Sequence, residues 1–182
     1  MHRRKLLALL DEYEESFPEE VRVTERFRTF VENEPRCFDR DCWTPGHVTG
    51  SAWLVDPARK RLLLTHHKKL NMWLQLGGHS DSDPDTARVA LKEAEEESGV
   101  AVTLLSPSIL DIDIHEIPAR KDDPAHYHFD VRFCVGALST DVSISDESHN
   151  LAWIEIDRVE TYTTEESILR MRDKWSAKVL TI

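Results

Sequence analysis

The sequence predicts an α+β fold, an α/β/α sandwich around a mixed β-sheet with a helical extension in front of it. Three observations point there. Apolar residues recur at helical spacing up to about residue 32, and the period becomes strand-like from His47 onward. One helical stretch, residues 86–98, interrupts the strands, and another closes the chain. Strands and helices do not alternate regularly, so a doubly wound sheet is not expected.

Each element has a local cause. Leu6, Leu7, Leu10, Tyr13 and Phe17 mark a helix over 3–16, which Pro18 ends. Val23, Phe27, Phe30 and Val31 mark a second over 19–32, stopped by Asn33 and Pro35. Residues 37–45 read as a linker, dividing an extension (1–42) from a main domain (43–182). Val48–Val55 and Arg61–Thr65 form a hairpin across the Asp56–Pro57 turn. The short run Asn71–Leu76 is expected to stop at Gly77–Gly78, and 79–85 reads as a loop. Thr86–Ser98 is helical and Gly99 supplies its stop. Further strands are expected at 100–105, 109–117, 127–137 and 152–156. Thr163 or Thr164 caps the last helix, with Glu166 near its first turn.

Composition sets limits. A hydrophobic fraction of 40% supports an ordinary core, and a net charge of −11 opposes binding to duplex nucleic acid. The three cysteines, Cys37, Cys42 and Cys134, give no disulfide framework and fit a reducing compartment. The basic start, His2 to Lys5, leads into an apolar run that stops at Asp11, too short for a secretion signal, and no stretch reaches membrane-spanning length. A cytoplasmic protein is expected, and the N-terminal helices could form a homodimer contact or cover a sheet edge. The five tryptophans are mostly core candidates.

The chemistry concentrates in Gly78–Val100. On a helix Glu93, Glu96 and Glu97 stand at i, i+3 and i+4 and share a face. Their mutual repulsion would be relieved by a hard divalent cation. A solvated acidic face has the same look, so the surrounding pattern decides. Gly78, Glu93, Glu96, Glu97, Gly99 and Val100, led in by Trp73-Leu74-Gln75-Leu76-Gly77-Gly78, resemble the Nudix box, and compatible strands extend the resemblance over about residues 43–158. Three positions depart from it: Pro84 replaces the first glutamate between Asp83 and Asp85, Lys92 replaces an arginine, and Ala94 a large apolar residue. Pro84 either weakens the loop–helix tether or moves it to Asp83 or Asp85.

The resemblance implies a Nudix-type sandwich that hydrolyses a small-molecule diphosphate or nucleotide with Mg²⁺ or Mn²⁺ on Glu93, Glu96 and Glu97. The general base would be Glu96, Glu97 or a loop residue, with Glu116, Asp146 and Glu147 open. Gly77, Gly78, Lys92 and Arg120 are candidates for substrate binding. A nucleotide-binding regulatory module without activity is the alternative from another class.

The nine histidines are a second signal. His126 and His128 point to one strand face, which Asp130 extends, while Tyr127 and Phe129 point to the other. With His47 and His79 they suit a metal site for Zn, Mn, Fe or Ni, though a substrate or packing role fits equally. His47 with Ser51-Ala52-Trp53, and Gly78-His79, are similar to the metal site of isopentenyl-diphosphate isomerase. Gly77 occupies the position of that enzyme's cysteine, which speaks against isomerase chemistry.

Overall fold

The computed structural model describes residues 3–68, 70–120, 123–145 and 148–179. Helices α1 (Arg4–Ser16) and α2 (Val21–Asn33) flank a 3-10 turn at Pro18–Glu20. Strands β1 (Gly46–Val55), β2 (Arg61–His67), β3 (Met72–Leu74) and β4 (Leu76–His79) lead to helix α3 (Thr86–Ser98). Strands β5 (Val102–Ile117), β6 (His126–Ala137) and β7 (Ser148–Glu155) precede a second 3-10 turn and helix α4 (Glu166–Val179).

The sheet is mixed, as expected. Its order is β3-β2-β1-β6-β5, with β4 on β1 and β7 on β2. Among the described strands only β1 and β6 run parallel; the other pairs are antiparallel. The alternation of side chains along β1 and β6 sorts residues to two faces. Val48, Ala52, Leu54, Phe129, Val131 and Phe133 face the first core, packed by α1, α2 and α3. There Phe30 stacks on Phe129 with centroids 3.8 Å apart, and Phe27 meets the same ring edge-on at 5.4 Å. Trp53, Val55, Leu62 and Leu64 face the second core, packed by Ile168, Met171 and Trp175 of α4.

Two boundaries differ from expectation. Gly77 and Gly78 do not end a strand; they form β4, paired with Ser51 and Gly50 of β1. The break between β3 and β4 falls instead at Gln75. The strands expected at 100–105 and 109–117 are one bulged strand, with register shifts between Leu104 and Ile109 and between Ile109 and Asp111. Pro107 lies in the interruption, where its missing N–H costs no ladder bond.

A buried ionic knot joins the layers at β5. Asp111 is fully buried and accepts from Arg132 (3.0 Å), Arg170 (2.8 Å) and Lys174 (2.7 Å). Lys174 also bonds Glu20 at 2.6 Å and the Tyr13 hydroxyl oxygen, which ties α4 to the first helices. Burial alone would raise the Asp111 pKa; hydrogen bonds from Arg170 and the charges of Arg132 and Lys174 outweigh it and hold the carboxylate ionised. Among the described residues no helix is long and apolar enough to cross a membrane.

Candidate active site and histidine centre

Helix α3 begins where the sequence shifts the tether. Asp85 is its N-cap, accepting from the Arg88 N–H, and Asp83 accepts the Asp85 N–H at 2.9 Å while gripping Arg88 at 2.6 and 2.7 Å. Pro84 therefore leaves the loop–helix joint intact, with both neighbours sharing the task. At the other end Gly99, at φ 72°, closes the helix.

The three glutamates take different surroundings. Glu97 is buried, and its carboxylate accepts the Gly77 N–H at 2.8 Å. Glu93 lies against β4 so closely that a Cβ on Gly78 would come within 2.3 Å of its Oε2. Glu96 is the exposed member, with its side chain 60% accessible. Lys92 approaches Glu93 at 3.2 Å and Glu96 at 3.5 Å. Three carboxylates thus stand within one turn of this helix, with Lys92 beside two of them.

Position 77 explains the missing cysteine. A Cβ there would lie 2.2 Å from Ser51 Oγ and 2.8 Å from its Cα, so β4 passes β1 without room for a side chain.

The opposite sheet face carries a graded series of polar residues along the parallel pair β1 and β6. His47 stands beside His128, Thr49 beside Asp130, and Ser51 beside Arg132. Asp130 accepts from Thr49 and Ser51, both at 2.8 Å, and from Arg132 at 2.7 Å. At the head of this series the rings of His47, His79, His126 and His128 gather, with centroid separations of 4.9–5.2 Å. Trp43 covers them, 4.8 Å from the His126 ring and 5.8 Å from His47. Burial depresses the pKa values of His47 and His79 to about 4, and that of His128 further. These imidazoles are neutral at pH 7.

The structure brings together His47, His79, His126 and His128 on one face, and Glu93 and Glu97 with Gly77 and Gly78 on the other side of β4. It does not bring Arg120 to either group; this exposed residue bridges to Asp123 in the β5–β6 connection. Glu116 is exposed on β5. Asp146 and Glu147 lie outside the described residues. Two features escaped sequence reasoning: the Trp43 cover, and a pair in which His115 donates from Nδ1 to Asp113 at 2.9 Å beside the His128 ring. Spacing Asp113 and His115 two apart on a strand was the available signal. An open groove of about 510 Å³, lined by Asp39, Arg40, Trp43, Asp81 and Asp123, borders the Trp43 cover.

No family model and no curated protein matches the sequence. Solved structures do. A Nudix-family hydrolase from Clostridium perfringens is 24% identical, with a TM-score of 0.52 over 72% of this chain and 97% of that one. A MutT protein from Methanosarcina mazei Go1 is 17% identical, with a TM-score of 0.58 over 72% and 93%. A UDP-X diphosphatase is 16% identical, with a TM-score of 0.54 over 97% and 93%, a span that takes in α1 and α2. From its strand order, its carboxylate helix and these likenesses, the chain has the fold of the Nudix hydrolases.

Proposed function

We propose that this chain is a metal-dependent pyrophosphohydrolase that cleaves a phosphoanhydride bond in a nucleoside diphosphate-linked or related pyrophosphate substrate. The observation that carries the reading is the placing of Glu93 and Glu97 against the side-chain-free strand Gly77–Gly78, in a Nudix fold. Three carboxylates on one helical turn suit Mg²⁺ or Mn²⁺, hard ions that take oxygen ligands. Glu93, Glu96 and Glu97 would hold them. Such ions, when bound, neutralise charge on the diphosphate and lower the pKa of the attacking water.

The chain's own groups divide the remaining work. Glu97 fixes β4 to α3 through the Gly77 N–H, and the two glycines leave backbone open to a phosphate. Glu97 being so committed, Glu96 is the better placed of the two to accept a proton. Lys92 holds Glu93 and Glu96 in register with a single ammonium rather than a guanidinium fork. A reducing, cytoplasmic setting belongs to the same reading, in keeping with the buried Cys37, Cys42 and Cys134, which are not joined in disulfides. The likeness to a UDP-X diphosphatase extends over α1 and α2, which makes nucleoside diphosphate-linked compounds the first substrates to try.

The test is a panel of such compounds with Mg²⁺ or Mn²⁺, followed by release of monophosphate or phosphate. Glu97→Gln keeps an oxygen for the Gly77 N–H, so turnover should fall at least about 100-fold with stability changed by about 1 kcal/mol or less. An undiminished rate in that variant refutes the assignment. A nucleotide that raises the melting temperature without being hydrolysed by the wild type would instead identify a binding module.

A further inference from the structure

The histidine group lies across β4 from the carboxylate helix. Gly77 and His79 present to one face of this strand and Gly78 to the other, where Glu93 packs. The two groups are therefore separate sites, and the proposed hydrolysis leaves the imidazoles without a task.

We propose that His47, His126 and His128, completed by His79, bind one transition-metal ion of the Zn²⁺ class, distinct from the hard ions proposed for the glutamates. One ligand atom from each of the first three lies within 4.8 Å of the other two. Ligands of a four-coordinate zinc with bonds of about 2.1 Å stand roughly 3.4 Å apart, so the rings need to close by about 1 Å or a little more.

The hydrogen bonds around the rings set which nitrogens face inward. His47 Nδ1 is 3.3 Å from the Cys42 carbonyl and His126 Nδ1 is 2.7 Å from the Pro124 carbonyl. A carbonyl only accepts, so both Nδ1 atoms carry the proton and both Nε2 atoms present lone pairs. This is the outer support that fixes the tautomer of a metal-bound imidazole. The Nε2 atoms of His47 and His128 are buried and, among the described residues, have no hydrogen-bond partner. Buried ring nitrogens without a partner are costly to leave unmet, and one cation meets them together.

Other occupants fit less well. A phosphate calls for N–H donors, and the Nε2 lone pairs of His47 and His126 offer none. Mg²⁺ and Ca²⁺ prefer oxygen, whereas neutral imidazoles suit Zn²⁺, Ni²⁺ and their neighbours. The frame is rigid: β1 and β6 pair directly at His47 and His128, and β4 enters through His79 beside Thr49.

The experiment uses the untagged full chain, because a histidine tag would bind the same ions. Elemental analysis after dialysis should find about one transition-metal ion per chain, and Co²⁺ added to the stripped protein should give visible ligand-field bands. His126→Ala and His128→Ala should each lower the retained ion at least about tenfold, while His115→Gln and Glu97→Gln keep it. Wild type with less than about a tenth of an equivalent and no cobalt bands overturns the proposal. So does a His128→Ala variant that keeps its full content. If the alanine variants do not fold, Cu²⁺ bound to the wild type decides the matter by electron paramagnetic resonance. Coupling to three or more imidazole nitrogens supports the site, and an oxygen-only signature overturns it. Hydrolysis plays no part in these readouts, so loss of the hydrolase reading would leave the histidine result intact.

Discussion

At the scale of single residues, Gly77 and Gly78 are adjacent, yet different neighbours forbid their side chains. A methyl on Gly77 meets the backbone and Cβ of Ser51, which cannot withdraw; a methyl on Gly78 meets the far end of Glu93, which can. Gly77→Ala is therefore expected to destabilise the fold by about 2 kcal/mol, in the range of overpacking, and to be seen as a lower denaturation midpoint. Gly78→Ala should cost less stability but displace the Glu93 carboxylate, reducing turnover at least about tenfold. Equal melting temperatures for the two variants would contradict this division. The sequence offered only a pair of small residues and the expectation of a break, because the close approach of Ser51 is a long-range contact.

At the scale of elements, α3 was legible to its last residue. Its period and its Gly99 stop are local signals, whereas the Asp85 cap emerges only from the structure. The polar face of β6 was legible in its alternation, but its burial was not. His126, His128, Asp130 and Arg132 would read the same on a strand facing water; Asp111 and Asp113, distant in sequence, pair Arg132, and Trp43 packs on the ring of His126. The imidazoles that β1, β4 and β6 bring together also predict a pH dependence. In the folded, metal-free protein His47 and His79 protonate only near pH 4, against 6.5 for a free side chain. On acidification the unfolded chain takes up protons first, so their contribution to stability is complete above pH 6.5 and drains away toward pH 4. With chelator present, the denaturant midpoint should fall between pH 7 and 4.5, and His79→Gln should flatten that fall. A midpoint that is level across the interval would reject the neutral, buried state of these rings.

At the scale of the whole molecule, the knot at Asp111 joins β5, β6, α4 and the first helices through Arg132, Arg170, Lys174 and Tyr13. Nothing in the local sequence marks Asp111 as its centre, since its partners lie 21 to 63 residues away. Asp111→Asn removes one charge and leaves three buried or half-buried cations facing an amide. A loss of about 3–5 kcal/mol is expected, measured by equilibrium unfolding. A loss below about 1 kcal/mol would mean that the cations find solvent or Asp113 instead.

The parallel pairing of β1 with β6 has a kinetic side. Thr49 and Asp130 are 81 residues apart in the chain, and His47 faces His128 across the same span. Closing so wide a loop comes at a high entropic cost and is slow, because local hairpins and helices form without it. The imidazole group is thus finished only when this 81-residue loop has closed, so an ion arriving there would report that the β1–β6 contact is made rather than guide the early steps of folding.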